Sequence, residues 1–141
     1  MEYSQPETGT NAQYYTAGDA PHQQLPDLLY ISVDGSPHTF EVPVRQTMLI
    51  GREDPDQRIK PDIDLTVFRA YQRGVSRRHA MITTNDNRLM LIGLNHSAGT
   101  AINGTELVPG EAAVLTHGDK LTVGGIHLQI GFAYRAHYSG V

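Results

Sequence analysis

The segment RGVSRRHA, residues 73–80, holds the side chains of this sequence that are best suited to chemistry: one serine, three arginines and one histidine. A hydroxyl and an imidazole three residues apart are parts of a hydrolytic site, whereas arginines beside a serine also bind an isolated phosphate or a nucleic-acid backbone. These chemistries need different surroundings. The elements that position the segment therefore decide among them.

The length of 141 residues fits one domain with a tail, and the 39% hydrophobic content is enough for a modest core. The chain has no cysteine, which excludes disulfides and thiolate metal sites. It shows neither an apolar run long enough for a membrane helix nor the pattern of a secretory signal, and its first Lys or Arg is Arg45. We therefore expect a cytoplasmic protein with no membrane partner.

The chain divides into an N-terminal tail, a domain and a short extension. Residues 1–27 are rich in Gln, Thr, Ser, Pro and Gly and show no periodicity, which predicts a disordered tail. From Leu28 onward, short apolar segments alternate with turn signals such as Asn-Gly and Gly-Gly. This spacing predicts an all-β fold, a two-sheet β-sandwich of about 10–11 short strands. The domain is predicted over residues 28–132, with 133–141 as a C-terminal extension.

Three chemistries find little support around Ser76 and His79. A catalytic pair is disfavoured because the segment runs into a β-branched strand and lacks the Gly-x-Ser-x-Gly turn of α/β-hydrolases. The seven histidines are scattered without ligand spacing, so we expect no metal and no cofactor. A net charge of -4, with 11 Lys and Arg against 15 Asp and Glu, argues against nucleic acid as the partner.

Binding of one compact anion fits the charge pattern better. Residues 65–85 contain four arginines and no acidic side chain, whereas the preceding stretch is acidic. An arginine fork, a serine hydroxyl and backbone N–H groups together satisfy the oxygens of a phosphate monoester. Arg52 is the preferred arginine because it directly follows a predicted strand and Gly51.

Six motifs occur in an order that resembles the forkhead-associated (FHA) domain. They are IGR at 50–52, DIDL at 62–65, GVSRRHA at 74–80, GT at 99–100, ING at 102–104 and HGDKLTVG at 117–124. The resemblance covers about residues 28–132 and implies an FHA/SMAD-like β-sandwich. It also implies binding of phosphothreonine peptides through loops at one end of the sandwich.

The resemblance assigns roles to individual residues. It implies phosphopeptide contacts from Arg52, Ser76, the backbone around Arg77, Ser97 and Gly99. Structural support is implied for four residues: Gly51, which allows close approach; His79, which braces the phosphate loop; and Asn103 with Gly104, which form a tight hairpin turn.

The sequence departs from the family pattern in two places. Ala98 stands where the family has an asparagine that grips the peptide backbone, so either Asn95 or Asn103 compensates or affinity is weaker. Residues 66–74 form a longer segment than is usual, and its Arg69, Tyr71 and Arg73 are candidates for peptide selectivity. The expected partners are a phosphothreonine-containing protein and a Ser/Thr protein kinase.

Two further hypotheses concern the ligand. The tail itself is a candidate ligand if it is phosphorylated at Thr16, Thr8 or Thr10, and Asp19 follows Thr16 by three residues. The alternative function is a phosphorylation-independent interaction module that uses another surface of the same fold. No enzymatic activity is expected from either hypothesis.

Overall fold

The computed structural model describes residues 14–16, 24–94 and 99–135, and these form twelve strands in two sheets. The first sheet runs in the order β3 (Thr39–Pro43), β2 (Leu28–Val33), β12 (Ile126–Arg135), β11 (Lys120–Val123), β8 (Thr100–Ile102), β9 (Thr105–Glu106), and β1 (Tyr14–Thr16) also pairs with β12. The second runs β10 (Ala112–Leu115), β7 (Arg88–Gly93), β6 (Ala80–Asn85), β4 (Thr47–Gly51), β5 (Ile63–Asp64). The predicted two-sheet β-sandwich is confirmed.

The alternation of apolar and polar residues directs one face of each sheet into a shared core. Along β12, Ile126, Leu128 and Ile130 are buried while His127 and Gln129 are exposed. The other strands contribute buried side chains to the same cluster, among them Leu29, Ile31, Met48, Ile50, Ile82, Leu89, Leu91 and Leu121. This period of two is the pattern of strands with one buried face.

The structure differs from the predicted boundaries at both ends of the domain. Tyr14–Thr16, inside the predicted disordered tail, form β1 and pair antiparallel with the end of β12, and β12 itself continues to Arg135, beyond residue 132. Ala133 pairs with Leu28 on one side and with Thr16 on the other. β1 therefore uses the edge of β12 that β11 has left vacant, and a strand of three residues is too short to show a period.

The sandwich has two distinct ends. At one end, which we call the site end, the hairpin between β11 and β12 meets the loops that carry the predicted site: Gly124 donates to Gly99 O at 3.3 Å and Gly125 donates to Arg73 O at 2.7 Å. β12 then runs for ten residues to Arg135, which lies about 30 Å away at the rise of an extended strand. β1 and the beginning of β2 lie at that far end.

Helical structure is limited to single turns in the described part of the chain. Two 3-10 turns, Pro55–Gln57 and Thr66–Phe68, lie in the loops of the site end. Neither has the length needed to cross a membrane, and no other described segment forms a spanning helix.

Candidate functional site

Gly51 brings the end of β4 into direct contact with the loop that carries Ser76 and Arg77, here called the serine loop. A Cβ atom added to this buried glycine would lie 1.9 Å from Arg77 O and 2.9 Å from Ser76 O, so no larger residue fits without movement. The close approach assigned to Gly51 is therefore present. It places Arg52, the next residue, beside the segment that carries Ser76.

The guanidinium group of Arg52 is restrained on two sides. Its Nε donates to the carbonyl oxygen of Val75 at 2.9 Å, and its Cζ lies 4.9 Å from the centre of the Tyr71 ring. Arg52 is half-buried, and its terminal nitrogens make no hydrogen bond or ion pair with any residue that the structure describes. These nitrogens are the donors that remain for an anion.

His79 links three segments of the site and is fully buried. Its Nδ1 accepts from the backbone N–H of Ser76 at 3.0 Å, so Nε2 carries the proton and donates to Gly99 O at 2.7 Å. Burial lowers the pKa of His79, and the bond to Gly99 opposes that shift less strongly. Because both ring nitrogens bond backbone groups of a neutral ring, His79 is a brace and is not free to act as a general base toward Ser76.

The Arg77 side chain is committed to an ion pair. Its Nη1 lies 2.6 Å from Oδ2 of Asp54, and Asp54 also accepts from the backbone N–H of Asp56 at 3.1 Å. The hydrogen bond from Arg77 holds the pKa of Asp54 below its ordinary value, so the carboxylate stays charged. The backbone N–H of Arg77, by contrast, makes no hydrogen bond within the described ranges.

A shallow depression of about 340 Å³ lies beside Ser76. Its lining comes from the loop after β4 and from the serine loop: Gln57, Ile59, Ser76, Arg77 and Arg78. Arg77 and Arg78 are exposed, so the part of the depression that they line is open to solvent and polar. Its place beside Ser76 makes it part of the same candidate site.

The segment 66–74 is fixed to the domain rather than loosely attached. Phe68 packs against Phe40 with ring centroids 6.1 Å apart, Ala70 and Val75 are buried, and Val75 donates to Ala70 O at 2.8 Å. Tyr71, by contrast, is 73% exposed. Arg69 and Arg73 are exposed as well. This predicted selectivity segment therefore presents Arg69, Tyr71 and Arg73 to solvent, with Tyr71 beside Arg52.

Asn103 and Gly104 form the predicted tight hairpin turn, both with positive φ, 51° and 85°. The Asn103 amide donates to Asp119 at 2.9 Å and accepts from Lys120 N at 3.0 Å. Lys120 begins β11, whereas the site adjoins the Val123 end of that strand. The Asn103 amide thus ties the turn to Asp119 and to the beginning of β11, while Ala98, for which Asn103 is one of two predicted compensating residues, lies outside the described residues.

The structure describes some of the predicted site positions and not others. Gly99 is described, with φ of +78°, and its carbonyl oxygen accepts from both His79 and Gly124. Asn95, Ser97 and Ala98 lie outside the described residues, as do Thr8 and Thr10 of the tail. No group of three His, Asp or Glu side chains suited to a metal occurs in ranges 24–94 and 99–135.

Sequence reasoning missed two acidic anchors. Asp54 holds the Arg77 side chain, and Asp119 is buried, where it accepts from the N–H and hydroxyl of Thr116 as well as from Asn103. Asp119 carries a visible signal, the Gly-Asp of the motif at 117–124. Asp54 carries none, because its partner lies 23 residues away.

Residues 48–124 match the family model described as FHA domain, which is more than half of the chain. The chain therefore belongs to the FHA domain family, whose members are binding modules. Protein FraH from Nostoc sp. (strain PCC 7120 / SAG 25.82 / UTEX 2576) is 37% identical over 70 residues, which cover 50% of this chain and 24% of FraH. The match thus spans about a quarter of that relative.

Several solved structures, FHA domains among them, have the same fold. The N-terminal FHA domain of S. cerevisiae Rad53p, in complex with a phosphothreonine peptide, has a TM-score of 0.59 at 18% identity and covers 74% of this chain and 92% of its own. Mycobacterium tuberculosis EmbR, in complex with a low-affinity phosphopeptide, has 0.60 at 20% identity and covers 78% and 26%. The FhaA FHA domain, complexed with the intracellular domain of Rv3910, has 0.54 at 25% identity and covers 72% and 98%.

Proposed function

We propose that this protein is a phosphothreonine-peptide-binding signalling adaptor, which reads the output of a Ser/Thr protein kinase through the loops of the site end. The observation that carries the proposal is the hydrogen bonding of the Arg52 guanidinium group. Its Nε is bound to Val75 O at 2.9 Å on a fixed loop, while its terminal nitrogens have no partner among the described residues. The guanidinium group is held beside Ser76 and remains available for an anion.

The donors around Arg52 fit a phosphate rather than a carboxylate. A phosphothreonine carries nearly two negative charges near neutral pH and three strong acceptor oxygens. Arg52, the Ser76 hydroxyl and the backbone N–H of Arg77 offer donors from two directions, because Gly51 brings the two segments together. Each charge-assisted bond contributes about 1.5–3 kcal/mol, so Arg52 carries most of the discrimination.

The test compares matched phosphorylated and unphosphorylated threonine peptides, selected from an oriented library and titrated by fluorescence polarisation. Arg52→Ala is expected to remove most of the difference in affinity between the two peptides. Arg88→Ala is the matched control, because it removes the same charge from an exposed arginine at the opposite end of β7. Equal affinities of the wild-type protein for the two peptides would refute the proposal.

The proposed ligand is a phosphothreonine-containing protein in the cytoplasm or the protein's own tail, phosphorylated at Thr16, Thr8 or Thr10. A tethered ligand has a high effective concentration, so even a weak site would be occupied internally. Nucleic acid, a membrane and a cofactor have no part in the proposal, and neither has catalysis. Ser97 and Asn95 remain proposed peptide contacts next to Gly99.

The second candidate function is a phosphorylation-independent interaction module. It is favoured by exposed apolar side chains at the edge of the second sheet: Val114 on β10 is 43% exposed and Val108 before it is 59% exposed. These residues lie apart from Arg52. Capture of a partner by the Arg52→Ala variant as strongly as by the wild type would support this second function.

A further inference from the structure

Tyr71 is a large aromatic residue that the fold leaves exposed at the edge of the site. Its exposed fraction is 73%, yet its ring lies against the guanidinium of Arg52, 4.9 Å from Cζ to the ring centre. The ring therefore contributes little to the core. Within the described part of the chain, the ring contacts the arginine on which the proposed function depends.

Backbone hydrogen bonds fix the main chain that carries the ring. Tyr71 O accepts from Gly74 N at 3.2 Å, and Arg69 O accepts from Arg73 N at 3.0 Å. The carbonyl oxygen of Arg73 accepts from Gly125 N of the β11–β12 hairpin at 2.7 Å. The segment thus presents Tyr71 at a fixed place although its side chain lies mostly in solvent.

The two restraints on Arg52 leave one edge of its guanidinium available. Nε is used by Val75 O, so the edge formed by Nε and one Nη is not open to a second bidentate partner. The Cζ atom lies over the Tyr71 ring, 4.9 Å from its centre, where a cation and an aromatic ring attract each other. What remains is the edge formed by the two terminal nitrogens, which is suited to bind two oxygens of one phosphate.

We propose that Tyr71 is a positioning residue for anion binding by Arg52, an inference that rests on the proposed function. It limits the orientations of the guanidinium before the ligand arrives and so lowers the entropy lost on binding. Tyr71 belongs to the long segment 66–74, so this support is supplied by the part of the chain that departs from the usual family spacing.

The first test measures affinity for a phosphothreonine peptide and its unphosphorylated twin. Tyr71→Ala is expected to weaken phosphopeptide binding about 2- to 5-fold, the range of an exposed cation–π contact. Tyr71→Phe keeps the ring and should retain the wild-type affinity. Val67→Ala is the matched control, since Val67 is 77% exposed in the same segment and has no aromatic ring to attract the Arg52 cation. Equal losses in the Phe and Ala variants would overturn the proposal, because the hydroxyl would then be the important group.

The second test needs no ligand and separates this proposal from the proposed function. Relaxation of the Arg52 15Nε–H group, measured by NMR in the free protein, is expected to show greater mobility in Tyr71→Ala and no change in Val67→Ala or Tyr71→Phe. Unchanged Arg52 mobility in Tyr71→Ala would overturn the positioning role. Another outcome is that the mobility of Arg52 rises as expected while neither the wild type nor any variant binds the phosphorylated peptide more tightly than its twin. In that case the proposed function fails, but the positioning of Arg52 by Tyr71 stands.

Discussion

Gly51 lies against the carbonyl group of Arg77 so closely that an added Cβ would come within 1.9 Å of its oxygen. We expect Gly51→Ala to lower the free energy of unfolding by about 1–3 kcal/mol, as overpacked sites do, and to weaken phosphopeptide binding by displacing Ser76. Urea unfolding and peptide titration measure the two effects. Gly93→Ala is the control, because its Cβ would make an ordinary contact 3.5 Å from Thr100. Equal costs for the two substitutions would contradict the prediction.

The neutral, buried ring of His79 predicts a stability that falls with acidity. Above the ordinary histidine pKa of 6.5 both the folded and unfolded chains hold the ring neutral. Below 6.5 the unfolded chain takes up a proton that the folded chain does not, since burial lowers the folded pKa. The free energy of unfolding should therefore fall by up to about 1.4 kcal/mol per pH unit until the folded pKa is reached.

Urea unfolding of wild type and His79→Gln between about pH 5 and pH 7.5 isolates this contribution from the other histidines. The free energy of unfolding of the wild type should exceed that of His79→Gln most near pH 7.5, and the difference should shrink toward about pH 5. Curves that stay parallel over the whole range would show that His79 does not titrate differently in the two states.

Asn103 supports the fold through a left-handed turn and its bond to the Asp119 carboxylate. Asn103→Gly keeps the backbone conformation and removes the amide, so it should cost about 1–3 kcal/mol of stability. Asn103→Ala should cost about 1–2 kcal/mol more, because alanine is strained at positive φ. Neither change should alter peptide affinity in the folded protein. A selective loss of peptide binding in Asn103→Gly, without loss of stability, would place Asn103 in the binding site instead.

Pairing of β1 and occupancy of the site by the protein's own tail should exclude each other. Tyr14 pairs with Arg135, about 30 Å from the site end, and the six residues from Tyr14 back to Thr8 cover at most about 21 Å. Thr16 is itself held opposite Ala133. If β1 separates, the chain is anchored at Asp27, whose N–H bonds Ala133 O, and Thr16 then reaches about 38 Å.

Hydrogen exchange of kinase-treated protein tests this exclusion. We expect the amides of Tyr14–Thr16 to lose protection when the tail occupies the site, and Arg52→Ala to restore it. Tyr15→Pro, which removes a β1 donor, should favour self-occupancy and slow the binding of an external peptide. Protected β1 amides in a protein whose site excludes external peptide would contradict the prediction.

The parts of the fold that follow local rules could be predicted from the sequence. The alternation along β12 and the left-handed requirement of the Asn103-Gly104 turn depend on neighbouring residues alone. Gly51 and His79 were assigned through a motif, and their geometry agrees with those roles. Such features are visible because the physical constraint lies within a few residues of the signal.

The features that were missed depend on distant partners. β11 pairs with only the first four residues of β12, and β1 pairs with the end of the same edge that β11 does not reach. No property of Tyr14–Thr16 reveals this vacancy. The Arg77 side chain pairs with Asp54, 23 residues away, in a loop that the backbone bridge between Asp54 and Ile59 closes. In the same way, Tyr71 was a candidate for peptide selectivity, but its contact with Arg52 required the folded path of residues 66–74.

In segment 66–74, the residues that attach the segment to the domain differ from the residues that it exposes to solvent. Phe68, Ala70 and Val75 pack inward and the Arg73 carbonyl is bound by Gly125, whereas Arg69 and Gln72 face outward. Those two outward side chains can be exchanged without disturbing the anchors. The segment is therefore a place to introduce new ligand preferences by mutagenesis while the groups proposed to bind phosphate are left unchanged.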